Sequence, residues 1–391
     1  MLTESIFYRN LQKHLNKMPV GFPASKSGVE INLLKSIFTP EQAAVSTHLH
    51  YKHRTIDEIF ETAKEVVGSK EELKSILDDT VTRGGIFRRK RDGKDQYALL
   101  PFLLWGMYEH QLKRLNQEFL DDCGEYLMGD FGLEMATSTL PKMRVIPVEQ
   151  SVKLEHHVAT YDELRHLIDL AGGQIAVQEC FCRKVKDMQG NSCEATDRRE
   201  VCMSLGDLAD LYVEEGWARK IDQKEAMEIA RKSDEEGLVI MPGNEQKPNF
   251  ICACCSDCCG MLGLMKNFPK PAEVVASNYY AEVQTELCKS CGTCISRCPL
   301  DAVVGNGIPS KVDLKRCIGC GLCVPTCPEN AMTLLSKKKE VLPPITNEEH
   351  LDIIYAKRTS VKGKIRSYSI KSMIRVMTRL SKGSPAKIES K

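Results

Sequence analysis

One stretch limits what this chain can become. It reads Cys288-x-x-Cys291-x-x-Cys294-x-x-x-Cys298-Pro299, and then Cys317-x-x-Cys320-x-x-Cys323-x-x-x-Cys327-Pro328. A four-iron cluster held by thiolates needs four soft sulfur donors around a compact cuboid. A run of this form supplies three from one tight loop and sends its fourth to the neighbouring cluster. The spacing therefore predicts one set of Cys288, Cys291, Cys294 and Cys327, and a second of Cys317, Cys320, Cys323 and Cys298. Zinc sites use paired C-x-x-C knuckles rather than runs of four cysteines ending in proline, so the pattern argues against structural zinc here.

The chain has 391 residues, a length that suggests two or three domains. Its formal net charge is +1, so no global field points to nucleic acid or membrane. The charge is unevenly spread. Residues 351–391 carry +9 and the remainder −8. Of the eighteen cysteines, eight lie in the two runs, nine lie between Cys180 and Cys259, and Cys123 stands alone. Clustered cysteines in a long chain without a secretory leader read as metal ligands rather than disulfides. The first residues show no basic stretch followed by an apolar one, and no apolar run reaches membrane-spanning length. A reduced cytoplasmic protein is the expectation, in an anaerobic setting because such clusters are oxygen-labile.

The expected fold class is α+β in four parts. Residues 1–127 carry helix-start signatures at Thr39-Pro40-Glu41-Gln42, Thr55-x-x-Glu58 and Ser69-x-x-Glu72. The third helix ends at Gly84-Gly85, and Asp92-Gly93 between β-compatible flanks predicts a hairpin. Three helices followed by a basic hairpin resemble a winged-helix domain. The third helix carries Glu71, Glu72, Asp78 and Asp79 and would repel phosphates, so protein docking is expected over DNA binding. A helix is expected from Phe102 to Cys123 and an extended crossing from Gly129 to Gln150.

Residues 128–280 form a cysteine-rich domain. Cys180, Cys182, Cys193 and Cys202 number four. Cys252-x-x-Cys255-x-x-Cys258 repeats the spacing of the first run, with Cys254 or Cys259 as a fourth donor. Two further cubane clusters are one expectation. A single larger or non-cubane cluster shared by both groups is the other, since Cys254-Cys255 and Cys258-Cys259 resemble the CCG segments of heterodisulfide-reductase-type proteins, without their long spacer. Arg183, Lys184 and Lys186 would offset cluster charge or form a solvated basic turn. His156-His157 point apart on any regular backbone and are not expected to ligate together.

Residues 281–336 resemble bacterial two-cluster ferredoxins. The repeat is internal: Cys288 to Cys317 is a shift of 29, and Pro299-Leu-Asp-Ala302 matches Pro328-Glu-Asn-Ala331. That resemblance implies two [4Fe-4S] clusters and one-electron transfer. The whole order of segments looks like a group of multi-cluster ferredoxin-type proteins of anaerobic bacteria and archaea. In residues 337–391, Ile370, Met373, Ile374, Met377 and Leu380 recur at helical spacing beside Lys371, Arg375 and Arg379. This basic amphipathic helix would suit an acidic partner, a membrane surface or the chain's own acidic body.

No nicotinamide, flavin or nucleotide motif is present. The simplest expectation is an electron relay serving a partner oxidoreductase. The alternatives are a redox enzyme with a site-differentiated or non-cubane cluster in residues 180–259, and a redox-sensing DNA-binding regulator.

Overall fold

The computed structural model describes residues 2–137, 141–151, 162–305, 308–365 and 368–369. His156, His157, Thr160 and the amphipathic helix from Ile370 lie outside the described residues. The chain forms two compact units. The first comprises residues 1–87, 96–140 and 351–391; the second comprises 88–95 and 141–350. Both helices and strands contribute, so the protein is α+β. Among the described residues no helix is long and apolar enough to cross a membrane.

In the first unit, α1 (Leu2–Leu15), α2 (Val29–Ile37) and α3 (Pro40–Ser46) precede a short strand, β1 (Arg54–Thr55). Then come α4 (Ile56–Ala63), α5 (Lys70–Thr82), and the hairpin β2 (Ile86–Arg91) and β3 (Lys94–Leu99), whose residues 88–95 are counted with the second unit. The three strands pair in the order β1-β3-β2. Thr39 and Thr55 make full reciprocal caps with Gln42 and Glu58. Ser69 accepts from the Glu72 amide, while the Glu72 carboxylate takes the Gly68 amide instead. The core gathers Leu33, Leu34, Ile37, Phe38, Ile59, Leu73, Leu77 and Tyr97, all nearly fully buried.

Phe102 to Cys123 is not one helix. Leu104 and Trp105 take φ of 70° and 60°, and the Met107 and Tyr108 amides close back on the Pro101 and Phe102 carbonyls. A Cβ on Gly106 would stand 2.0 Å from the Pro101 carbonyl oxygen. The turn lets the Phe102 ring pack edge-on against Phe22, Tyr126 and Phe131, which outweighs local helical spacing. The helix α6 (Gln117–Met128) starts only where Asn116 caps the Phe119 amide at 2.9 Å. Another helix, α7 (Asp130–Thr137), occupies the first half of the stretch expected to be extended.

The second unit opens on an extended strap, residues 143–148. It is followed by α8 (Leu164–Leu170), β4 (Ile175–Glu179), α9 (Phe181–Met188), β5 (Glu200–Leu205), α10 (Asp207–Glu214), β6 (Arg219–Lys220) and α11 (Gln223–Glu235). Next are β7 (Val239–Pro242), β8 (Phe250–Cys254) and α12 (Gly260–Asn267). The strands form one antiparallel sheet in the order β6-β4-β5-β8-β7. Val177, Val201, Met203, Val239, Met241 and Ile251 are among its buried apolar residues.

Beyond it, β9 (Tyr279–Val283) pairs with β12 (Met332–Ser336). Between them lie α13 (Thr293–Ser296) and the small ladder of β10 (Val303–Val304) with β11 (Lys311–Val312). A small core of Tyr279, Ala281, Val303, Val324, Met332 and Leu334 fills this region. The helix α14 (Asn347–Thr359) follows.

The strap joins sheet and ferredoxin-like region by main-chain bonds. Arg144 and Ile146 donate to Pro242 and Ile240, and Val145 and Val148 donate to Ala276 and Cys320. Arg144 is almost fully buried. Its Nε lies 3.1 Å from Asp162 Oδ1, and Asn278 donates to the other Asp162 oxygen at 3.2 Å. Nearby, His350 Nδ1 meets Glu245 Oε1 at 2.6 Å, both buried.

Candidate metal centres

The ferredoxin-like region brings its eight cysteines around two cavities. Cys288, Cys291, Cys294 and Cys327 line one, walled by Val283 and Met332. Cys298, Cys317, Cys320 and Cys323 line the other, walled by Ala281, Val303 and Leu322. In both, the fourth cysteine comes from the other run.

Backbone turns build these loops. Ser290 and Gly319 have φ of 57° and 69°, Gly292 and Gly321 of 80° and 77°, and Asp301 and Asn330 of 53° and 51°. The sequence repeat is thus also a repeat of left-handed turns. The last pair aims the next amide at the preceding sulfur: Ala302 donates to Cys298 Sγ at 3.2 Å and Ala331 to Cys327 Sγ at 3.3 Å. Such bonds are one lever on a cluster's potential.

The two sites differ in exposure. Cys291 is exposed, and main-chain and side-chain donors at Thr293 and Ser290 hold the Cys291 and Cys288 thiols below their usual range. Burial pushes Cys320 up to about 12 and raises Cys323 too. Buried thiols with no carboxylate partner suit binding as thiolates to a metal, which supplies the missing positive charge.

The nine cysteines between Cys180 and Cys259 do not sort by segment. Six neighbour one another in a ring. Cys180 adjoins Cys182 and Cys202, Cys202 and Cys254 adjoin Cys252, and Cys259 adjoins Cys182 and Cys254. Register explains much of this. Met203 opposes Ile251, which puts Cys202 beside Cys252, and alternation along β8 returns Cys254 to the same face. Cys180 and Cys259 sit at the N-caps of α9 and α12. Their ring neighbours hold the Cys180 and Cys259 thiols well below the usual range.

Cys193, Cys255 and Cys258 stand apart from the ring, with Asp257 among them. A quartet of Cys180, Cys182, Cys193 and Cys202 is therefore not what the fold assembles. Arg183 is completely buried, not part of a solvated turn. Its Nε lies 3.4 Å from Cys193 Sγ and an amino group 3.6 Å from Cys255 Sγ. Lys184 pairs with Glu179 at 2.7 Å. Asp257 was not singled out in the sequence, although its place between Cys255 and Cys258 made it visible. Arg144 and Asp162 carried no local signature at all.

At the hairpin, Arg88 reaches Glu214 and Glu215, Arg91 reaches Asp207 and Arg89 reaches Glu348, at 2.8–3.3 Å.

Residues 310–333 match the model of a 4Fe-4S binding domain. That segment holds the second cysteine run through Cys327. Neither a curated protein nor a solved structure matches the chain. With its cysteine-lined cavities, the matched segment makes this an iron–sulfur protein of the electron-transfer kind.

Proposed function

We propose that the protein relays single electrons through two [4Fe-4S] clusters in residues 281–336 and a further cluster in the six-cysteine ring, exchanging them with a partner oxidoreductase. The observation that carries the reading is the crossed pair of quartets, each with a fourth sulfur from the other run. Bound there, the clusters supply one-electron chemistry. The chain's own contribution is to fix the sulfurs, aim amides at Cys298 and Cys327, and keep one site near solvent while burying the other. Anaerobic purification with iron and sulfide analysis, read beside EPR of the reduced protein, tests it. More than eight irons per chain and two interacting reduced clusters are expected. Eight irons would remove the ring cluster, and four or fewer would overturn the relay.

A redox enzyme is the second reading, and the ring favours it. Six thiols exceed the four that a cubane takes, which suits a larger or non-cubane cluster. A Mössbauer or EPR species that changes when substrate is added would select this reading. A DNA-binding regulator has weaker support, because the hairpin arginines already face carboxylates. The basic tail suits an acidic partner or an anionic membrane surface, and a cytoplasmic location fits the reduced cysteines. The first unit, with its order of helices and a terminal hairpin, suits a winged-helix-like docking module.

A further inference from the structure

We infer that Cys193, Cys255, Cys258 and Asp257 form a mononuclear site for a zinc-class divalent cation, separate from the iron–sulfur centres. The donor atoms all lie within 4.8 Å of one another. Cys193 Sγ and Cys255 Sγ are 3.6 Å apart, Asp257 Oδ2 is 3.4 Å from Cys258 Sγ, and Asp257 Oδ1 is 4.0 Å from Cys193 Sγ. Four donors around one tetrahedral ion with bonds of about 2.3 Å to sulfur must stand about 3.8 Å apart. Thiolates around a four-iron cuboid point outward from its corners and stand much farther from one another. Among the described residues no other three such donors are drawn this close, and the ferredoxin-like quartets enclose open cavities instead. The spacing therefore selects a single ion over a cluster.

Charge supplies an independent reason. Arg183 is wholly buried, and among the described residues none of its hydrogen bonds goes to a carboxylate. Its contacts are Cys193 Sγ, Cys255 Sγ and the Ala253 carbonyl at 3.2 Å, and its second amino nitrogen has no partner. A buried guanidinium needs an anion beside it. Three thiolates and a carboxylate on a doubly charged cation leave a centre of charge −2, which Arg183 offsets in part. The Glu194 amide donates to Asp257 Oδ2 at 2.8 Å, which orients the fourth donor. The ion would clip the loop after α9 to the loop after β8, next to the ring.

The test uses the full chain purified anaerobically. Metal analysis should find one zinc-class ion per chain besides the iron. X-ray absorption at the zinc edge should show three sulfurs at about 2.3 Å and one oxygen at about 2.0 Å. Cys258→Ser should lose that ion while iron, sulfide and the reduced-cluster EPR are unchanged. Asp257→Asn keeps the size of an exposed side chain and an acceptor oxygen for the Glu194 amide, and should weaken zinc about tenfold or more in chelator competition. Loss of iron rather than zinc from Cys258→Ser would overturn the inference. So would wild-type protein that neither contains nor takes up one equivalent of added zinc. Because the ferredoxin-like signals are read separately, failure here and failure of the electron-relay reading are distinguishable.

Discussion

Asp301 and Asn330 stand 29 positions apart and share one unusual backbone conformation, with φ of 53° and 51°. Each is the hinge that turns the next alanine amide toward a cysteine sulfur. Asp and Asn are among the few non-glycine residues that adopt it readily. Asn330→Gly should therefore keep the cluster contact. Asn330→Val should cost about 1–2 kcal/mol and loosen the Ala331 bond to Cys327. Thermal unfolding and the reduction potential of the cluster, measured for both variants, check this. Equal behaviour would refute it.

Cys327 follows the second run in the chain but lines the cavity of the first. Cys327→Ala should abolish or convert the cluster held by Cys288, Cys291 and Cys294, and leave the other. Cys298→Ala should do the reverse. EPR of the reduced variants, with iron counts, separates the two outcomes. Damage confined to the run that contains the substitution would contradict the crossed arrangement.

Gly319 and Gly292 are both left-handed, but only one is confined. A Cβ on Gly319 would lie 2.3 Å from the Tyr279 carbonyl oxygen, whereas one on Gly292 meets nothing within 4 Å. Ser290, the counterpart of Gly319 in the first run, tolerates φ of 57° with its side chain. The close approach, rather than the dihedral angle, thus demands glycine at 319. Gly319→Ala should cost about 2–4 kcal/mol and lower iron content. Gly292→Ala should cost about 1 kcal/mol with iron retained. Iron analysis and melting temperatures of the pair test the contrast.

Asp234 near the end of α11 is buried, and burial raises its carboxyl to about 7 from 3.8, with one oxygen unpartnered. An acid with a raised folded pKa keeps its proton in the native state while the unfolded chain loses it. Its stabilising protonation is complete below the unfolded value and is lost as pH climbs through about 7. Asp234→Asn should therefore raise the melting temperature at about pH 8, by the equivalent of about 2–4 kcal/mol, and change little near pH 4. A shift equal at both pH values would exclude this carboxyl as the source.

Arg144 and Asp162 are a buried pair completed by Asn278. Removing one charge strands the other. Arg144→Ala should destabilise the second unit by about 3–5 kcal/mol. Arg144→Ala with Asp162→Ala should recover part of that loss. Denaturant unfolding of the single and double variants measures the coupling, and additive losses would argue against it.

What could be read in advance follows from the range of the forces. Caps at Thr39 and Thr55, the stop at Gly84-Gly85 and the two cysteine runs depend on neighbours a few residues away. They stood in the sequence as they stand in the fold. The break at Leu104 and Trp105 came from the packing of Phe102 against rings far along the chain. The division of nine cysteines into a ring of six and a group of three depends on how β5 registers with β8, and on an irregularity at Gln178 and Glu179. Spacing along one strand says nothing about its partner, so the grouping by segment was the natural but incomplete expectation. Arg183 was noticed for its charge, yet only its burial among sulfurs gave that charge a purpose.

The strap from Met143 to Val148 gives the ferredoxin-like region a different standing. Its repeat reads as a portable cassette, one that could be cut out at about residue 281 and moved. Yet the Cys320 carbonyl takes its bond from Val148, and Val148 and Ser151 lie closest to where a Cβ on Gly321 would stand. Part of the socket around the inner sulfurs is thus written more than a hundred residues upstream. Inheritance of the electron port is tied to inheritance of the sheet, and a graft that carried only the cysteine runs would leave the Cys320–Gly321 turn without the strap it rests on.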